Sequence, residues 1–417
     1  MSTDLVERER LQRRTMATLR MAQVPGQAAV AGVVAVGTLL AGSLLGSDQW
    51  AGSAGAAFTL GSAFLAVPLS ALMRRRGRRP GLALAFGLGA IGALVAGVGG
   101  ESRLFPLFIV GMVMFGGAQA ATLQGRYVAA DLAPESGRAV AISAIVWVGT
   151  LGAVFGPLLT PQERRLGRAL GLDDYVGPYF AAALLLTVAA VVVSVRLRPD
   201  PLAVKGQLDP TADRVRPLRQ VRLSAGVIAR SHLAPLGLAA MVVSQTAMVA
   251  VMTMTPPHMK DHDQSELSAY VIALHIFGMY GFAPLVGRLV GRIGGVAAVM
   301  IGAVVLGVGT LLTVLGGYVP ALVFVGLFLL GLGWNLGLIA GSTILTTAVP
   351  EQSRVEVQGT ADLTMSLCGG LAAFSSGFVK QAWGFHLLAD AATVLAGLLL
   401  VAAYVQRLRG LRLVSAT

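Results

Sequence analysis

Pro134-Glu135-Ser136-Gly137-Arg138 recurs as Pro350-Glu351-Gln352-Ser353-Arg354, displaced by 216 residues. A second landmark, Arg75-Arg76-Gly77, recurs as Arg292-Ile293-Gly294, displaced by 217. Two separate landmarks with nearly one displacement mark an internal repeat. Each lies in a short polar segment between long apolar stretches, so the repeated unit is a set of membrane-crossing helices.

Of the 417 residues, 55% are hydrophobic and 12% charged, and the mean hydropathy is +0.74. A soluble domain of this length does not read that way; most of the surface must face lipid or other apolar helices. The 53 glycines suit close packing between such helices. A span needs about 20 apolar residues, and twelve stretches qualify: roughly 24–46, 51–73, 80–99, 103–127, 139–160, 177–196, 233–257, 267–290, 295–316, 319–347, 357–379 and 384–406. The expected fold is an all-α membrane protein of twelve transmembrane helices in two six-helix repeats. The halves cover 1–196 and 233–417, joined by a Pro- and Arg-rich linker, 197–232, with Arg198, Lys205, Arg214, Arg216, Arg219, Arg222 and Arg230. Parallel repeats of this kind hold their substrate near the bilayer midplane.

A net charge of +12 would suggest nucleic acid in a soluble protein. Here the charges lie between apolar stretches, and with the N-terminus inside only six of the 32 basic residues fall outside: Arg103, Arg164, Arg165, Arg168, Lys260 and Lys380. That asymmetry predicts cytoplasmic termini and a cytoplasmic linker in a bacterial inner membrane, with the bilayer rather than nucleic acid as partner. Residues 1–24 carry too many charges for a secretory leader and read as an amphipathic cytoplasmic lead-in. The one cysteine, Cys368, excludes an intrachain disulfide and a CxxC metal site.

The seventh span carries Met241, Gln245, Met248 and Met252 on one helical face, and the eighth carries His275 and Met279 at i, i+4. Met248 lies about ten residues below the outer end of its helix and His275 about eight below its own, so at 1.5 Å per residue their depths coincide. Thioethers and a neutral imidazole are soft ligands that suit monovalent copper and discriminate against hard cations. Met is also an ordinary filler of apolar helices, and His275 alone fits a bond to a backbone carbonyl or another helix.

Ser70-Ala71-Leu72-Met73-Arg74-Arg75-Arg76-Gly77-Arg78-Arg79, with Gly287-Arg288-Leu289-Val290-Gly291-Arg292-Ile293-Gly294 in the repeat, resembles the loop motif G-x-L-A-D-R-x-G-R-R of the major facilitator superfamily. The resemblance covers the whole chain. It implies that Arg75, Gly77, Arg78, Gly287, Arg292 and Gly294 belong to conformational loops. The family's acidic position, which helps latch its outward-open state, is Arg74 in one copy and Gly291 in the other. Gly149, Gly152, Gly156 and Pro157 are similar to the family's fifth-helix glycine-proline motif; physically, small residues so spaced admit a neighbouring helix at close range. Met248-x-x-x-Met252 followed by His275-x-x-x-Met279 resembles the MxxxM and HxxxM pair of CcoA-type copper importers, members that supply copper for cbb3-type cytochrome oxidase assembly. That resemblance implies Met248, Met252, His275 and Met279 as ligands of transported Cu+, no permanently bound cofactor, and a cytoplasmic copper chaperone as partner.

At the outer mouth, His258, Met259 and His262 are candidates for metal capture, or else a solvated turn. In span twelve, Asp390 and His386 are candidates for proton coupling. Asp362 is expected at the interface, and Arg126 and Asp131 in loop or helix-dipole contacts. Trp147, Trp334 and Asn335 either line an organic-substrate site or pack between helices. No phosphate loop, HExxH or nucleophile elbow is present, which excludes these enzyme classes. The expectation is a secondary transporter importing copper by alternating access. The alternatives are a carrier of riboflavin or another small organic molecule, a proton-coupled drug exporter, and a transport-inactive sensor.

Overall fold

In hydrocarbon every backbone N–H and C=O must find its partner within the protein, so apolar stretches of this length fold as helices. The computed structural model describes residues 3–46, 53–209, 217–261, 267–315 and 319–415, and the described residues contain helices and no strand. The first set is α1 (Thr3–Leu45), α2 (Ser53–Arg76), α3 (Arg78–Glu101), α4 (Phe105–Asp131), α5 (Arg138–Ala169) and α6 (Gly177–Arg196). Two short helices follow, α7 (Pro201–Val204) and α8 (Pro217–Arg230). The second set is α9 (Ala234–Asp261), α10 (Ser268–Tyr280), α11 (Ala283–Ile293), α12 (Gly295–Leu315), α13 (Pro320–Thr347), α14 (Arg354–Trp383) and α15 (Phe385–Ser415).

Eleven helical segments among the described residues are long and apolar enough to cross a membrane. The expected span 357–379 lies in α14, whose 30 residues have the length, while its charged and hydroxyl side chains keep it out of the most apolar set. The expected lead-in 1–24 is no separate element: α1 continues unbroken from it into the first span. The expected span 267–290 is instead two helices, α10 and α11, interrupted at Gly281 and Phe282. Pro284 stands at the start of α11; lacking an N–H, it cannot return a bond to the carbonyl of Tyr280.

By contact the chain divides into two compact units. One comprises residues 1–134, 148–225 and 351–366, the other residues 135–147, 226–350 and 367–417. Within the first, α3 packs on α4 and α6, α2 on α4, and α1 on α6. Within the second, α12 packs on α13 and α15, α10 on α13, and α9 on α15. The same order of pairing in both is the structural form of the repeat. The glycine stripe of α5 works as its spacing suggests. A Cβ on Gly152 would stand 2.7 Å from the backbone nitrogen of Ala28 on α1, so only hydrogen fits there.

Gly77, between α2 and α3, has φ 100°, a conformation that favours glycine. There the chain turns around Asp200, whose carboxylate accepts from the backbone N–H of Arg79 at 2.7 Å and caps α7 through the N–H of Leu202 at 3.0 Å. Arg74, in the family's acidic position, ion-pairs with Glu356 and, at 3.0 Å, with Asp209. The base thus stands in the last turn of α2 and one of its acids, Glu356, in the first turn of α14. Nearby, Lys205 bridges to Glu351 at 3.3 Å, and Arg354 to the same carboxylate at 3.4 Å. Burial, the larger influence, lowers the Lys205 ammonium against the attraction of Asp131 and Glu351. Burial would raise the Glu351 carboxyl, but Lys205 and Arg354 together hold it below its usual value.

Two outcomes follow for the purified protein in detergent. Arg74→Glu sets an acid beside Glu356 and Asp209 and should cost about 1–3 kcal/mol; adding Glu356→Arg should recover most of the thermal midpoint, and a double variant no better than the single would contradict the pairing. Because the Glu351 carboxyl is lowered in the folded chain, its contribution is complete above the ordinary carboxylate range and disappears as pH falls through the lowered value. Glu351→Gln should therefore flatten the acid limb of the melting-temperature profile and leave the limb above neutrality in place.

Candidate functional site

α10 reaches α13 through a glycine. A Cβ on Gly331 would stand 3.0 Å from the backbone nitrogen of Met279 and 3.2 Å from the ring Nδ1 of His275. His275 is fully buried, and its Nδ1 lies 2.8 Å from the carbonyl oxygen of Leu327. A carbonyl only accepts, so Nδ1 carries the proton and Nε2 presents a lone pair. Nε2 has no hydrogen-bond partner among the described residues. Orientation of one ring nitrogen by a backbone carbonyl while the other stays available is the arrangement of a ligand-binding histidine.

The Met-rich face of α9 divides in use. Met241 accepts a bond from the hydroxyl of Ser342 on α13 at 3.8 Å. The Oε1 of Gln245 accepts from the indole N–H of Trp334 at 2.7 Å. The edge of Tyr280 meets that indole, with ring centroids 5.6 Å apart. Met248 and Met279 are buried and Met252 half-buried. The helices that carry these donors, α9 and α10, both pack on α13 and touch each other only marginally. Asn335, on α13, is fully buried, and neither its amide oxygen nor its nitrogen has a partner among the described residues. Each such orphan costs about 1–3 kcal/mol, a price of order that bare packing does not explain. An aromatic pair, an amide and an imidazole lone pair together suit a flat polar molecule, while the imidazole with buried thioethers suits a soft cation.

His258 is buried and stacks on Phe385, the ring centroids 4.2 Å apart. His386 stands edge-on to it at 6.1 Å. The structure thus joins a residue read as outer capture with one read as proton coupling. Met259 is buried, and His262 lies outside the described residues. Asp390 is exposed. Cys368 is a half-buried thiol. Trp147 is 42% exposed, so its indole does not serve as core.

Two sequence expectations are corrected. Arg126, Asp131 and Asp362 are not loop, dipole or interfacial residues; all are buried. Arg126 ion-pairs with Asp362, whose other oxygen accepts from Gln124 at 3.2 Å. The Arg126 guanidinium also lies over the Tyr127 ring, 4.3 Å from its centroid. Arg78, fully buried, donates to Asp131 at 2.8 Å and to Gln358 at 2.8 Å. Charges carried into apolar helices need partners, and each of these supplies the other's. The available signal was opposite charge at the ends of otherwise apolar stretches, at Arg126, Asp131 and Asp362. Of the other loop residues, Gly287 backs onto Ser143 so tightly that a Cβ would overlap it, and Arg292 is exposed. The repeat carries Gly295 at the position of Arg78, so it has no such network.

The Major Facilitator Superfamily model matches residues 26–373 and again 236–413. The MFS-type transporter YdeG of Bacillus subtilis is 37% identical over 376 residues, spanning 88% of this chain and 86% of that protein. The riboflavin transporter RfnT of Brucella anthropi is 27% identical over 378 residues, spanning 90% and 91%. Among solved structures, the human organic anion transporter MFSD10 superposes with a TM-score of 0.77 at 19% identity, over 94% of this chain and 99% of that one.

The buried pair in α4 and α14 sets a mutational cycle. Arg126→Met or Asp362→Asn alone leaves an uncompensated charge and should cost about 3–5 kcal/mol. The double change should return most of that, read as the thermal midpoint in detergent; additive losses would contradict the ion pair.

Proposed function

The chain belongs to the Major Facilitator Superfamily, and from that premise we propose that it is a secondary transporter of a small, flat, polar organic molecule bound beside Trp334, Tyr280 and Gln245. Family and fold are those of transporters rather than enzymes. The observation that carries the cargo class is the part-buried indole–amide bond between Trp334 and Gln245 with Tyr280 against it. Aromatic faces with a few fixed polar groups are how proteins hold small organic ligands. The likeness to a protein named as a riboflavin transporter agrees, and riboflavin, flat and rich in hydrogen-bonding edges, is the first cargo to try. The membrane is taken as a bacterial inner membrane with both termini and the 197–232 linker cytoplasmic, from the distribution of Lys and Arg, and the halves as 1–196 and 233–417.

A second reading keeps copper as cargo, in the manner of the CcoA-type importers, with delivery to a cytoplasmic chaperone. It rests on one observation: the available Nε2 of His275, oriented by the Leu327 carbonyl, near buried Met279 and with Met248 on the adjoining helix. Against it stands the marginal contact between α9 and α10, since Cu+ would need thioethers of both helices within one coordination sphere.

The two readings part in reconstituted vesicles. Riboflavin flux should be measurable and fall at least about tenfold in Trp334→Ala, a loss of roughly 1.4 kcal/mol or more of cargo binding. Cu+ flux abolished by His275→Ala, with no flavin flux in the wild type, would replace the first reading by the second. Silence toward both cargoes would leave a sensor.

A further inference from the structure

We propose that Asn335 and His275 read a hydrogen-bonding edge of the cargo, and that this edge is a lactam or cyclic imide, with a ring N–H beside a carbonyl. The inference rests on the organic-cargo reading and names its chemical class.

Asn335 and His275 are both fully buried. They carry three polar atoms without partners among the described residues: the amide oxygen and nitrogen of Asn335 and Nε2 of His275. Several other buried polar side chains of these helices are bonded, Ser244 and Thr310 to carbonyls of their own helix turns, Trp334 to Gln245, and Ser342 to Met241, while the Thr246 hydroxyl on α9 is open, like the polar atoms of Asn335 and His275, among the described residues. Asn335 and His275 stand on α13 and α10, two helices that pack on each other. Leu327, Gly331 and Asn335 recur at four-residue spacing on α13 and share a face. Leu327 meets the His275 ring, and Gly331 meets His275 and Met279. Since Gly278 in turn backs onto the Phe328 carbonyl and Leu332, the two helices run in parallel register. One turn beyond Gly331, Asn335 falls toward the level where α10 ends at Gly281 and Phe282.

Their chemistry selects the ligand. A primary amide offers one donor and one acceptor side by side. Its complement is a carbonyl next to an N–H, the edge that a lactam or imide presents; asparagine and glutamine read paired donor and acceptor edges of flat bases in this way. Nε2 of His275 accepts only, because Nδ1 holds the proton, so it takes a second donor, a ring N–H or a hydroxyl. A soft cation would use Nε2 but leave the amide nitrogen unanswered. The flat face of the same molecule would lie against Trp334 and Tyr280, which meet at 5.6 Å.

The probes are riboflavin, whose ring system carries an imide, and its N3-methyl derivative, which keeps shape and ring face but loses the imide donor. The full-length protein is tested in vesicles and, without ligand, by thermal melting in detergent. Wild type should transport riboflavin at least about tenfold faster than the methylated form, since a site built to bond an N–H rejects an analogue lacking it. Asn335→Leu should abolish that preference by lowering riboflavin flux to the level of the analogue. The same variant should melt at or above the wild-type temperature, because an unpaired amide is replaced by an apolar group of similar size. Equal wild-type transport of both flavins overturns the inference while sparing the organic-cargo reading. So does an Asn335→Leu variant that melts lower and loses both fluxes alike, which would make the amide a structural group. No flux of either flavin overturns both.

Discussion

A guanidinium fully withdrawn from solvent must be answered on every side, and Arg78 is. Asp131 takes one edge, while Gln124, Gln358 and the Met73 sulfur accept from the remaining N–H groups. Gln124 passes the connection to Asp362, and Asp362 to Arg126 and Tyr127. One chain of bonds thus runs from the turn after α2, through the end of α4, to the start of α14. Lipid offers none of these partners, so the positions of three helix ends are fixed by the need to complete the set. Around it, the part-buried pairs Arg74–Glu356 and Lys205–Glu351 extend the charged set toward solvent.

The second unit solves a different problem with the same helix order. It has Gly295 where the first has Arg78, and its buried polar side chains form small pairs rather than one network. Several bond back to their own helix. Others, Trp334 with Gln245 and His275 with Leu327, join neighbouring helices and leave further atoms open.

The fold was largely legible in the sequence, because lipid enforces one rule on every apolar stretch and the repeated landmarks were only lightly altered. Helix positions followed from apolar length; the break of the eighth span did not, because Gly281 and Pro284 read as tolerable within a membrane helix until the neighbouring packing is seen. For the site, the residues were visible and their partners were not. His275 stood out as a titratable ring in an apolar stretch, and its bond to the Leu327 carbonyl matches one of the two structural uses open to it. Trp334 and Asn335 stand in the sequence as polar-capable residues at mid-depth of an apolar stretch. That Gln245 meets Trp334, or that Arg126 meets Asp362 across 236 residues, depends on tertiary approach, for which neither spacing nor periodicity carries a sign. Asp362 was placed at the interface because a carboxylate in hydrocarbon is costly; its partner, far away in the chain, removes that objection.

The seam between α1 and α5 has a mechanical consequence. Along it, Gly152 and Gly156 lie directly on the backbone of residues 24–32, while the Gln23 and Gln27 side chains meet the seam at its Gly149 end. Helices meshed as ridges in grooves must unmesh before either moves lengthwise. Where Gly152 and Gly156 replace such teeth, the seam resists lengthwise sliding of α5 along α1 less than a meshed contact would.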